Sequence, residues 1–153
     1  MGDSKNKVGE SKKGMEDFLE IDGLTKERLL KAAQAVLEQA YAPYSQIRVG
    51  AAVLADSGQI YAGSNIENSS YSLTVCAERN AIFHALAHGE KHFLALAVVT
   101  DSDQVKSPCG ACRQVLAEFA PQLPVIFVNP QVTVFFNVAE LLPQAFSLKG
   151  ELS

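Results

Sequence analysis

This 153-residue chain has no surplus of positive charge, no long apolar run and no even set of cysteines, and each absence removes a class of function. Thirteen Lys and Arg against 17 Asp and Glu give a formal charge of -4 at pH 7. No net positive field therefore gathers a nucleic acid polymer or an anionic membrane. A small neutral substrate suits this balance. No stretch approaches the roughly 20 apolar residues that cross a bilayer, and the opening MGDSKNKVGESKKGMED has no apolar core of a secretion signal. A cytoplasmic location without a membrane partner is expected. Three cysteines are an odd number, which fits a reducing compartment where thiols pack, ligate or react. Internal repeats are absent too, and 48% hydrophobic content over this length closes one core.

Residues 1–20 are polar and without apolar period, which predicts a flexible N-terminal tail ahead of a domain over 21–153. From Leu24, the positions Leu29, Leu30, Ala33, Val36, Leu37 and Ala40 recur at helical spacing, with Thr25 as cap and Pro43 beyond the end. Arg48 to Ala55, a turn at Asp56-Ser57-Gly58 and Gln59 to Asn65 predict a hairpin. A second helix is expected from Cys76 to His88, closed by Gly89. FLALAVVT (93–100) reads as a strand buried on both faces, and a third helix begins near Cys109. Two β-branched runs, 124–129 and 132–137, precede a helical turn at Ala139 to Leu142. This order predicts an α/β fold: a mixed sheet of about five strands covered by helices on both faces.

All three cysteines fall at predicted helix starts. Unpaired backbone N–H groups and the helix dipole favour a thiolate there, which prepares sulfur to hold a metal. Cys109 and Cys112, three apart, share one helical face, and zinc suits the pair with Cys76 as third ligand. A closed structural site would need a histidine as well. His84 lies eight residues beyond Cys76 on the same helix, a rise of about 12 Å, His88 lies farther, and His92 enters a strand on the remote side. Three protein ligands with one open place is the pattern of a catalytic zinc. Glu78, two residues after Cys76, is then placed to take a proton from water and return it to a leaving group. Zinc with three thiolates sums to about -1, which Arg79 or Arg113 could offset by donating to the sulfurs.

The pairing of CAE (76–78) with PCGAC (108–112) resembles the signature of zinc-dependent nucleobase deaminases in its all-cysteine form. Over residues 24–146 the chain is similar to the small homotetrameric cytidine deaminases, through AYAPYSQIRVGAAV, GSNIENSSYS, CAERNAI, SPCGACRQVL and ELLPQAF. The resemblance implies a three-layer α/β/α fold, one zinc per subunit on Cys76, Cys109 and Cys112, and proton transfer by Glu78. It also implies that Asn65 and Glu67 hold the ribose hydroxyls and that backbone at Ala77 recognises the base. Tyr71 and Phe146 would complete the sites of neighbouring subunits, and Arg79 would sit near the thiolates or at a subunit contact. Ile47 departs from the family, which usually has Phe against the pyrimidine; Ile keeps an apolar wall but loses stacking.

The reaction so implied is hydrolysis of cytidine and 2'-deoxycytidine to uridine and 2'-deoxyuridine with release of ammonia. Ile47 leaves room for another aminated nucleoside such as blasticidin S. A dithiol redox protein would use CGAC but neither Cys76 nor Glu78. A zinc module without turnover would bind the metal and leave cytidine unchanged. Editing of polynucleotides is opposed by the acidic charge and the lack of a basic, aromatic-rich stripe.

Overall fold

The computed structural model describes residues 9–149. In chain order its elements are α1 (Lys12–Leu19), α2 (Gly23–Leu37), β1 (Val49–Ala55), β2 (Ile60–Ser64), a single 3-10 turn (Tyr71–Leu73), α3 (Ala77–Ala87), β3 (Phe93–Thr100), α4 (Gly110–Phe119), β4 (Pro124–Val128), β5 (Thr133–Asn137) and α5 (Val138–Leu141). The five strands form one sheet in the order β2-β1-β3-β4-β5. Only β3 and β4 run parallel; the other neighbours are antiparallel.

The apolar runs of β1, β3 and β4 are buried on both faces, and their period of two divides them between two cores. Ala51, Val53, Leu96, Val98, Val125 and Phe127 pack with Ala81, Ile82 and Ala85 of α3, Leu116 of α4 and Val138 of α5. The intervening Ala52, Leu54, Ala95, Ala97, Val99 and Ile126 pack with Phe18 of α1 and Leu29, Ala33 and Leu37 of α2. Helices thus cover both faces, as the element order predicts.

The tail expected over residues 1–20 is corrected where the structure describes it. Ser11 caps α1, its Oγ accepting from Gly14 N at 2.9 Å while its own N–H donates to Phe135 O at 2.8 Å. Phe18 is 2% exposed and packs 5.7 Å from the Phe135 ring. At Gly14 any Cβ would overlap the Phe136 carbonyl, so glycine lets α1 lie directly on β5. α1 escaped notice in the sequence because only Gly14 and Phe18 of its eight residues are buried, too few to make a period. Residues 1–8 of the expected tail lie outside the described residues. The second correction concerns α2, which is capped by Asp22 and not Thr25: the Asp22 carboxylate accepts from Thr25 N at 2.8 Å and Thr25 Oγ1 at 2.7 Å.

Phe18→Ala is expected to destabilise the fold by about 3–5 kcal/mol, the usual cost of emptying a buried phenylalanine site. Chemical denaturation reads this directly, and an unchanged midpoint would mean that α1 does not hold the sheet.

Candidate functional site

Because β1 runs against both β2 and β3, the start of β1 and the ends of β2 and β3 share one edge of the sheet, with Gly50 opposite Ser64 and Val49 opposite Thr100. The loops leaving that edge carry the chain into α3 and α4. Gly63 in β2 sets α3 close to the sheet: a Cβ there would lie 2.5 Å from Ala81 N. Asn80 of α3 adds a bond from Nδ2 to Ser64 O at 2.8 Å. These contacts fix the start of α3 against β2, and the sulfurs at the starts of α3 and α4 meet within 4.8 Å.

Cys76 is the N-cap residue of α3 and Cys109 that of α4, both extended in backbone. The Cys76 side chain makes no capping bond, whereas Cys109 Sγ accepts from Cys112 N at 3.5 Å. All three sulfurs lie within 4.8 Å of one another. Cys76 and Cys109 are 3.6 Å apart, close to the ~3.8 Å edge of a tetrahedron with ~2.3 Å zinc–sulfur bonds. Among the described residues no His, Asp or Glu joins that group of three. His84 Nδ1 instead lies 3.0 Å from Ala62 O and His88 Nδ1 2.9 Å from His84 O, while His92 lines a cavity with Arg28 and Leu123.

The electrostatics of the cluster call for a cation. A hydrogen bond from Cys112, with others from Arg79 and Cys109, brings the Cys76 thiol down to about 5. Cys112, bonded to that thiolate and buried, is pushed up strongly. One sulfur ionises readily and the next resists, so only a positive ion lets all three be thiolates together. Glu78 is 5% exposed, with Oε2 3.6 Å from Cys112 Sγ. Burial pushes its carboxyl up to about 7, and the Cys76 thiolate adds to this. The donor set, the spacing and the charge all fit zinc.

Arg79 Nη2 donates to Cys76 Sγ at 3.5 Å, although its Nε is left buried without a partner. The alternative donor, Arg113, is corrected: Nε binds Pro108 O at 2.8 Å, Nη1 Leu141 O at 2.9 Å and Nη2 Ser107 Oγ at 3.1 Å. None of these bonds reaches sulfur.

Asn65 is 8% exposed, its Oδ1 accepting from Val49 N and its Nδ2 donating to Ile47 O, both at 2.8 Å. Glu67 Oε1 accepts from Tyr44 N and Ser45 N at 3.0 Å, and Oε2 accepts from Ser45 Oγ at 2.5 Å. Both side chains therefore brace the 44–49 segment. Glu67 and Tyr71 line one pocket with Tyr44, Ser45 and Thr74, whereas half-buried Ile47 opens on another with Gln46, Asp101 and Asp103. Ala77, buried, is the first residue of α3, so its N–H has no intrahelical acceptor. Tyr71 and Phe146 are 77% and 72% exposed. Tyr44 and Ser45 were not singled out in the sequence, because partners 22 residues away leave no local pattern.

Comparison with known proteins agrees with this geometry. The model of the cytidine and deoxycytidylate deaminase zinc-binding region matches residues 24–128. The chain is 53% identical to a cytidine deaminase of Sporosarcina psychrophila, over 83% of this chain and 94% of that one. It is 45% identical to the cytidine deaminase of Halalkalibacterium halodurans, over 81% and 96%. The crystal structure of the Burkholderia pseudomallei cytidine deaminase superposes with a TM-score of 0.74 at 46% identity, covering 78% of this chain and 98% of that one. α1 lies before the matched region. Three sulfurs gathered on two helix starts, a buried carboxylate beside them and a family match over most of the length together mean that this chain belongs to the cytidine and deoxycytidylate deaminase family of zinc enzymes.

Proposed function

We propose that the chain hydrolyses cytidine and 2'-deoxycytidine at C4, giving uridine or 2'-deoxyuridine and ammonia. The observation that carries this reading is the buried Glu78 carboxylate 3.6 Å from a sulfur of the three-thiol group. Zinc held by Cys76, Cys109 and Cys112 supplies Lewis acidity that brings the pKa of water towards neutrality. Glu78 moves the protons: its carboxylate accepts one from water as the oxygen bonds to C4 and delivers it to N3 of the pyrimidine. It then takes the proton remaining on that oxygen and gives it to the amine, so that the C4–N bond breaks, ammonia leaves and the C4 carbonyl forms. A carboxyl raised towards neutral pH by burial suits both directions of transfer. With the bond from Cys112, Arg79 helps to hold Cys76 as thiolate, and it offsets part of the negative charge of three sulfurs.

Asn65 and Glu67 are assigned to the ribose. Each retains hydrogen-bonding capacity beyond the bonds to the 44–49 segment, a second Nδ2 proton on Asn65 and a lone pair on Glu67 Oε2. Free cytosine, which leaves those groups unpaired, should react poorly. The Ala77 N–H faces the base as a free helix-start donor. Exposed Tyr71 and Phe146, with Leu73 62% exposed, support a homotetramer in which each subunit completes a neighbour's site. No helix among the described residues is long and apolar enough to cross a membrane. A cytoplasmic role in pyrimidine salvage accords with three free thiols.

A spectrophotometric panel of cytidine, 2'-deoxycytidine, cytosine and blasticidin S on zinc-replete protein tests the reading. Turnover of the first two supports it; turnover of blasticidin S alone would transfer the assignment to that substrate. On the same panel, Ile47→Phe is expected to lower the KM for cytidine roughly 2- to 10-fold, since ring stacking adds about 0.5–1.5 kcal/mol. An equal or higher KM in the variant would remove Ile47 from the base's surroundings.

A further inference from the structure

We propose that Arg113 is a positioning residue that locks the loop carrying Cys109 to the C-terminal segment carrying Phe146, so that metal retention and nucleoside affinity depend on one side chain. This deepens the functional reading, resting on Cys109 as a ligand and Phe146 as part of a neighbouring subunit's site.

All three guanidinium nitrogens of Arg113 are used, and their acceptors come from two distant parts of the chain. Nε and Nη2 hold Pro108 O and Ser107 Oγ, the two residues immediately before Cys109. Nη1 holds Leu141 O, in the last residue of α5. A helix of four residues leaves such a carbonyl without an intrahelical donor, and Arg113 supplies one. Its neighbour Gln114 donates from Nε2 to Phe146 O at 3.0 Å. Successive residues of α4 therefore grip both ends of the 141–146 segment. Between the two grips, Gln144 adopts φ 52°, in the left-handed region, and redirects the chain.

The chemistry points to geometry rather than charge as the reason for arginine here. Arg113 forms no ion pair among the described residues, and none of its three bonds reaches a sulfur. A planar fork of fixed donors satisfies three acceptors in different directions, which a lysine ammonium on a flexible stem cannot reproduce. Cys109 is an exposed residue whereas Cys112 is buried, so of the two ligands on α4 Cys109 has less packing to hold it and leans more on the loop before it. Holding Ser107 and Pro108 fixes that loop.

The test uses the zinc-loaded full chain, with zinc release to a chromophoric chelator followed beside KM and kcat for cytidine. Arg113→Ala is expected to release zinc at least about tenfold faster and to raise KM about tenfold, the scale of losses when support behind a ligand is removed. Arg113→Lys should recover only part of either effect. Gln114→Ala, which touches the C-terminal grip alone, should raise KM and leave zinc release at the wild-type rate. Should Arg113→Ala fail to fold, Arg113→Lys decides, with zinc release still expected to be several-fold faster. Release and KM both within about twofold of wild type in Arg113→Ala, or in Arg113→Lys where the alanine variant is insoluble, would overturn the proposal. So would faster zinc release from Gln114→Ala. Wild-type protein that binds zinc but leaves cytidine untouched would instead sink the functional reading, and the release rates would still report on the hold over Cys109.

Discussion

Glu78→Gln is expected to lower deamination by about 10²–10⁴-fold, the contribution of a positioned proton donor and acceptor, while the protein still binds one zinc per chain. The amide has the carboxylate's shape but neither its charge nor its ability to carry a proton. Glu78 is buried behind Ala77 at the start of α3 and lies 3.6 Å from Cys112 Sγ, so the isosteric change leaves the three sulfurs in place. Loss of the carboxylate's charge also lessens repulsion with the Cys76 thiolate. Folding stability should therefore hold or rise slightly. Cytidine loss in the ultraviolet, read beside metal content, makes the distinction: a variant within tenfold of wild type would assign the proton transfers elsewhere.

Arg79→Ala carries the second large effect, a loss of about 10–100-fold in activity or zinc affinity with the fold retained. Its guanidinium holds a sulfur from one side, at 3.5 Å, and helps to keep that thiol near 5 rather than in the ordinary thiol range. Without it the cluster must offset three thiolates with zinc and helix dipoles alone. The alanine leaves a hole for water to enter, so the fold itself loses little. Metal titration and turnover check this, and wild-type values for both would show that Arg79 acts at a subunit contact instead of at the sulfurs.

What could be read from the sequence followed the range of the interactions. β1, β3 and β4 declare themselves because unbroken apolar runs are the signature of strands covered on both faces. The hairpin turn at Asp56-Ser57-Gly58 and the closure of α3 at Gly89 are local chemistry, and both stand in the structure with Gly58 at φ 88° and Gly89 at φ 85°. The convergence of Cys76 with the Cys109–Cys112 pair was legible because thiols at helix starts ionise readily and a metal uses all three, whereas a redox dithiol leaves Cys76 and Glu78 without a role. α1 was not, since its attachment rests on Phe18, Gly14 and a cap bonded to β5, none of which repeats. Nor was the brace of Glu67 on Tyr44 and Ser45, or the reach of Arg113 to Leu141, because hydrogen bonds spanning 22 to 28 residues leave no spacing to read.

The same distinction explains the two arginines. Both follow a residue of the metal site, and sequence position alone gives them equal claim to the sulfurs. Three residues after an N-cap, Arg79 curls back over the first turn of its own helix to Cys76. Arg113 follows Cys112, which sits deeper in its helix, and finds the preceding loop and α5 before any sulfur. Position in the turn, rather than identity, decides which guanidinium tunes the thiolates.

X-ray absorption at the zinc edge of the purified protein tests most directly whether three sulfurs form a site with room for water. One zinc per chain with three sulfur scatterers at about 2.3 Å and one light atom is the predicted result. A spectrum showing imidazole among the scatterers, or fewer than three sulfurs, would contradict it.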